Sequence, residues 1–144
     1  MRVNRLPWVQ IPLSPPFLKG INMDKFSFYL SRNFTFDAAH RIVDYAGKCE
    51  RLHGHTYMLK VTIQGELQES GMVVDFAIIK NLVNDEIISK LDHVDLNEIF
   101  INPTTENIAM WIFEKLQKPF EKFNCSIYEI DLTEGINNTV SIKK

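Results

Sequence analysis

Cysteine is scarce in this 144-residue chain: Cys49 and Cys125 are the only two. That is too few for a disulfide framework, so a reducing, cytoplasmic setting is expected. Net charge is slight as well, −2 at neutral pH, which argues against a nucleic-acid partner or an anionic membrane surface. No apolar run approaches the about 18 residues that a membrane-spanning helix needs. A secretory signal is not expected either, because prolines interrupt each short apolar run near the start and no small-residue cleavage pattern follows. The hydrophobic share of 45% and charged share of 24% are ordinary for a globular protein and exclude disorder, collagen-like and coiled-coil repeats. The length suits one domain.

Acidic residues are missing altogether from residues 1–22, which carry Arg2, Arg5 and Lys19 and hold four of the six prolines (Pro7, Pro12, Pro15 and Pro16). The texture changes at Met23. Residues 1–22 are therefore expected to be a non-core extension or a start placed too early, and 23–144 the folded domain. An arm that binds a partner is the alternative.

From Lys25 the chain alternates like a strand, with Phe26, Phe28, Leu30, Phe34, Phe36 and Ala38 on one face and Arg32 as the exception. His40 continues that face. After a loop holding Tyr45, Gly47 and Cys49, a second strand over Leu52–Leu67 places Tyr57, Leu59, Val61 and Ile63 on one face, in phase with His53 and His55. Beyond a turn at Glu69–Gly71 the period becomes helical, and Phe76, Ile79, Val83 and Ile87 stripe a helix ending near Leu91. Thr104 is a good N-cap for a second helix, whose buried stripe is Ile108, Ile112, Leu116 and Phe120. Tyr128, Ile130 and Leu132 mark a third strand with Glu134 closing the same face, and Asn137-Asn138 turns into a last strand over Thr139–Ile142. The order ββααββ predicts an α+β fold: an antiparallel sheet with two helices on one face. The sheet edges left open make edge-to-edge oligomerisation an expectation.

Three of the four histidines fall on inward strand faces. His53-x-His55 sets two imidazoles on one side of a strand, and His40 arrives from the neighbouring strand. Three neutral imidazoles on two rigid strands suit Zn²⁺ with a fourth position open. Two other readings stand beside it: three satisfied core histidines, or a closed structural zinc with Cys49 as fourth ligand. Cys49 lies between two cations, Lys48 and Arg51, a setting in which a thiol serves as nucleophile or proton acceptor. Asp92 precedes His93 and can fix its tautomer; a histidine ending a helix is the plainer reading. Glu134 closes an apolar face, where a carboxylate needs a partner such as the amidine-like edge of a guanidine-containing ring, unless the strand end is open to solvent.

Six motifs then run in order: F-D-A-A-H (Phe36–His40), K-C-E-R-L-H-G-H-T-Y (Lys48–Tyr57), G-M-V-V-D-F (Gly71–Phe76), L-D-H-V-D-L-N (Leu91–Asn97), N-P-T-T-E-N (Asn102–Asn107) and L-T-E (Leu132–Glu134). Together they resemble the 6-pyruvoyltetrahydropterin synthase family, more closely its 6-carboxytetrahydropterin synthase branch in queuosine biosynthesis. The resemblance implies a tunnelling fold (T-fold), in which subunits join their sheets into a barrel as a hexamer or tetramer with active sites between them. It implies His40, His53 and His55 as zinc ligands, Cys49 as catalytic proton acceptor and Asp92 with His93 as a second acid/base relay. Glu134 is implied as the pterin anchor, with Thr104 and Thr105 against the pterin ring. The implied substrate is 7,8-dihydroneopterin triphosphate, with Lys48, Arg51 and Arg41 the nearest cations for its phosphates. The short loop before His53 favours the queuosine branch over relatives that stop at the 6-pyruvoyl product, and Cys49 argues against folate-route relatives that carry Glu there. Outside the family, a three-His zinc hydratase or hydrolase, or a non-catalytic zinc-stabilised assembly module, would use the histidines but leave Cys49 and Glu134 idle.

Overall fold

The structure, a computed structural model, describes residues 20–21 and 25–144. The expected extension over residues 1–22 lies, but for Gly20 and Ile21, outside the described residues. Alternating apolar residues form β1 (Phe28–His40) and β2 (His53–Gly65), which pair antiparallel along their whole length, Phe28 opposite Gly65 and His40 opposite His53. Helix α1 opens at Phe76–Val83, with the Asp75 side chain accepting from Ala77 N, passes through a π turn at Asn84–Ile88 and ends in an α turn at Ser89–Leu91. Thr104 caps α2 (Thr105–Glu121) through a bond from Asn107 N to its hydroxyl, as expected. Strands β4 (Cys125–Glu134) and β5 (Asn138–Lys143) complete the sheet.

The ββααββ order and the two helices on one face are present, with one addition. A two-residue strand, β3 (Val94–Asp95), pairs parallel with Ala38 and Ala39, so the sheet has five strands in the order β3-β1-β2-β4-β5 and is mixed. Two residues cannot display a period of two, so β3 had no signature in the sequence.

Two further expectations are corrected. Tyr128 does not share the face of Ile130 and Leu132: the β2–β4 register slips between Thr62 and Ile63, a bulge that inserts one residue and reverses the phase. Ile127 takes the core place, and Tyr128 packs on Tyr29 with ring centroids 4.5 Å apart. Phe76 is 49% exposed and stands outside the stripe, whereas Ile79, Val83 and Ile87 are buried. As the first residue of α1 it precedes the turn that the core covers.

The inward residues of β1, β2 and β4 meet Ile108, Ile112, Leu116 and Phe120 of α2 in a single core. Leu116 has no solvent exposure, so Leu116→Ala is expected to cost about 2–5 kcal/mol. Urea unfolding should show a lower midpoint at an unchanged slope.

Candidate active site

The β1–β2 register builds the site. His40 ends β1 and His53 begins β2 as direct partners, and His55 lies two residues further on the same face. Their ring centroids are 4.7 Å apart for His40–His53, 4.8 Å for His53–His55 and 5.3 Å for His40–His55. Glu134 ends β4 beside β2 and adds a carboxylate, so that one donor atom from each of the four residues lies within 4.8 Å of the rest.

The hydrogen bonds orient these rings. His40 Nδ1 lies 2.9 Å from the Pro103 carbonyl and His53 Nδ1 2.7 Å from the Arg51 carbonyl. A carbonyl only accepts, so both Nδ1 atoms carry the proton and both Nε2 atoms present lone pairs. Glu134 Oε1 is 2.7 Å from His55 Nε2 without hydrogen-bond alignment and 3.6 Å from His40 Nε2, beyond hydrogen-bond distance, so the buried Nε2 atoms of His40 and His55 have no hydrogen-bond partner. A carboxylate oxygen converging with orphaned imidazole nitrogens is the arrangement that a cation satisfies. Burial pushes the His40 imidazole below its ordinary value, which keeps it neutral as a ligand must be. The cluster therefore fits a metal ion. Cys49 is outside it, so the fourth convergent donor is a carboxylate and not the thiol.

Glu134 is not a solvated strand end. Its side chain is 17% exposed, and its Oε2 accepts from Thr105 Oγ1 at 2.7 Å. Thr105 is thus tied to the site directly, while the Thr104 hydroxyl is engaged in capping α2.

Asp92 and His93 come together, Asp92 Oδ2 lying 2.9 Å from His93 Nδ1. They form, with Asp37, a group separate from the three-histidine cluster. Asp37 and Thr56 are out of phase with His40 and His55, so this second group sits on the opposite face of the sheet end. His93 has left the helix: its φ of 59° is left-handed, and its N–H donates to the Asp37 carbonyl at 2.6 Å. The Asp37 N–H and the His93 ring hold the Asp92 carboxyl below the usual carboxylate range, so its charge persists into acid. An open cleft of about 570 Å³ along this face is lined by Asp37, Gly54, His55, Thr56 and His93, among others. A Cβ at Gly54 would meet only the Ala38 carbonyl at an ordinary 3.7 Å.

Cys49 sits half-buried in a 3₁₀ turn over Lys48–Glu50, and its carbonyl accepts from Ile42 N at 2.8 Å, extending the β1–β2 hairpin beyond the histidines. Cys125 is buried at the start of β4, as expected of a structural cysteine.

Several supporting residues escaped the sequence reading. Asn97 grips Arg41, accepting from its N–H and donating to its carbonyl, and so fixes the chain just after His40. The Tyr57 hydroxyl lies 3.2 Å from His40 Nδ1. Asp37 and Thr56 lie in the outward phase of their strands. The signal of these supporting residues was membership of the six motifs: Asp37 in F-D-A-A-H, Thr56 and Tyr57 in K-C-E-R-L-H-G-H-T-Y, and Asn97 in L-D-H-V-D-L-N.

A family model described as 6-pyruvoyl tetrahydropterin synthase matches residues 29–144. A dihydroneopterin monophosphate aldolase of Pyrococcus furiosus is 48% identical over 84 residues, 58% of this chain and 70% of that protein. The 6-carboxy-5,6,7,8-tetrahydropterin synthase of Rickettsia bellii is 33% identical over 134 residues, 78% of this chain and 97% of its own length. The 6-pyruvoyl tetrahydropterin synthase of Caenorhabditis elegans superimposes with a TM-score of 0.72 at 29% identity, covering 82% of this chain and 96% of that one. Among the described residues no helix is long and apolar enough to cross a membrane. With the T-fold present in one chain and the family model matched from residue 29 to residue 144, this protein belongs to the 6-pyruvoyl tetrahydropterin synthase family.

Proposed function

We propose that the protein is a zinc-dependent 6-carboxy-5,6,7,8-tetrahydropterin synthase. It converts 7,8-dihydroneopterin triphosphate and water to 6-carboxy-5,6,7,8-tetrahydropterin, triphosphate and acetaldehyde, a step of the queuosine pathway carried out in the cytoplasm. The observation that carries this reading is the set of orphaned imidazole nitrogens facing Glu134, with Cys49 at the tip of the same hairpin.

His40, His53 and His55 would hold the zinc, which would supply Lewis-acid polarisation of the substrate's hydroxylated side chain. Glu134 accepts the paired N–H groups of the pterin's guanidine-like edge, and Thr105 steadies its second oxygen. Thr104, by capping α2, holds Thr105 in place. Cys49 takes a proton from the side-chain carbon, and His93, steadied by Asp92, moves the second proton. In this reading the Asp92–His93 relay, bound to Asp37 whose side chain faces away from the imidazoles, serves a substrate held by a second copy, in a hexamer or tetramer. Arg41, Lys48 and Arg51, all exposed, receive the triphosphate.

A second reading is favoured by the 48% identity to the Pyrococcus furiosus aldolase: aldol cleavage between two hydroxylated side-chain carbons of a phosphorylated dihydroneopterin. Incubating the zinc-loaded protein separately with 7,8-dihydroneopterin triphosphate and monophosphate, with mass spectrometry of the products, distinguishes them. Acetaldehyde with a 6-carboxypterin is the expected result. A phosphorylated two-carbon aldehyde would establish the second reading, and a 6-pyruvoyl product without acetaldehyde would replace both.

A further inference from the structure

We propose that Asp37 is a positioning residue for the Asp92–His93 relay and that Thr56 sets its carboxylate. This rests on the functional reading above for its kinetic consequence, though not for its geometry.

Asp37 engages the relay at three points. Its main-chain N–H donates to Asp92 Oδ1 at 2.9 Å, and its carbonyl accepts from His93 N at 2.6 Å. Its carboxylate approaches to within 4.8 Å of both the Asp92 carboxylate and a His93 ring nitrogen. Thr56, opposite Asp37 across the β1–β2 ladder, donates its hydroxyl to Asp37 Oδ1. The pair sits one residue before the point where β3 joins β1, at Ala38 and Ala39.

This arrangement answers a local problem. His93 has a left-handed backbone and a side chain 76% exposed, so packing does not hold the ring. Polar contacts must do so, and Asp92 supplies only one, at Nδ1. When His93 takes up a proton, the imidazolium faces two carboxylates, one from its own loop and one from the strand behind it. The other titratable residues lining the same cleft are Asp95 and His55, the latter with its imidazole in the three-histidine cluster. Two carboxylates so close would repel one another; the Thr56 hydroxyl and the Asp37 N–H each spread part of that charge. Fixing the ring by an orienting carboxylate is the service that a proton-transferring histidine generally needs.

The test uses full-length, zinc-loaded protein carrying Asp37→Asn, Thr56→Val or Thr56→Ser. Asp37→Asn keeps both main-chain bonds and removes only the carboxylate charge. Long-range ¹⁵N–¹H NMR of the His93 ring should show one Nδ1–H tautomer in the wild type and in Thr56→Ser, and a mixture in Asp37→Asn and Thr56→Val. Zinc content and thermal midpoint should be unchanged. With 7,8-dihydroneopterin triphosphate, kcat should fall about tenfold in Asp37→Asn with KM unchanged, part of the about 10²–10⁴ that proton transfer supplies, and Thr56→Ser should restore what Thr56→Val loses. A wild-type ring spectrum in both Asp37→Asn and Thr56→Val would overturn the proposal, as would equal loss in Thr56→Val and Thr56→Ser. If the wild type turns over no dihydroneopterin, the functional reading fails, while the ring spectra still decide the role of Asp37.

Discussion

Replacing His53 with Ala is expected to abolish zinc retention and to lower turnover by at least about 10³, with little effect on folding. Removing one of three imidazoles leaves a two-histidine site, and metal affinity depends on ligand count. His53 is the informative choice among the three. Its ring is half-buried and its Nδ1 bonds only to the carbonyl of Arg51, two residues away. His40 is 1% exposed and is held by Pro103 with Tyr57 beside it, so His40→Ala would also strand buried polar groups and destabilise the fold. The core is built from β1, β2, β4 and the two helices without the imidazoles. Chelation should therefore stop turnover while circular dichroism stays native. Metal analysis of purified His53→Ala, read beside its melting curve, checks both halves. Wild-type zinc content would remove His53 from the ligand set. Unfolding on chelation would instead favour zinc as a structural staple.

The legible parts of this protein are those in which one face is buried over many residues. The even phase of β1 ran unbroken past Arg32 to His40, and the odd phase of β2 ran back from Ile63 to His53, so the pairing of the two histidine-bearing strand ends could be read before any coordinates. Arg32 is accommodated because its guanidinium donates to the Phe76 carbonyl at 3.2 Å at the edge of the core. Illegible were features that break a period or lack one. The bulge that turns Tyr128 outward changes the phase without changing composition, and β3 is too short for any phase. Hydrogen bonds to the main chain, such as His40 to Pro103 and Asp92 to Asp37, leave almost no trace in side-chain identity. The relay was visible as an Asp-His pair, but its attachment to β1 runs through β3 and hydrogen bonds to the Asp37 main chain, and so was not.

Replacing Cys49 with Ala should leave zinc in place and still lower kcat by about 10²–10⁴, the range that a positioned proton acceptor supplies. The structural half follows from the hairpin. Residue 49 contributes to the fold through its carbonyl, which accepts from Ile42 N, and alanine has the same carbonyl. Its side chain lies outside the convergent donors that could hold a metal, which are His40, His53, His55 and Glu134. The chemical half follows from position. His40 and His53 close the last rung of the β1–β2 ladder, and the Ile42–Cys49 bond forms the next contact across the hairpin. Cys49 is therefore tied by its main chain to the loop that leaves the imidazole-bearing strand ends, in the 3₁₀ turn just beyond them. Serine there restores the volume but not a group that readily gives up its proton, so Cys49→Ser should resemble Cys49→Ala. Full zinc content with lost turnover in both variants separates this protein from a three-histidine hydratase, which would have no use for the thiol. A wild-type rate in Cys49→Ala would refute the assigned role of Cys49, and lost zinc in that variant would return the cysteine to the ligand set.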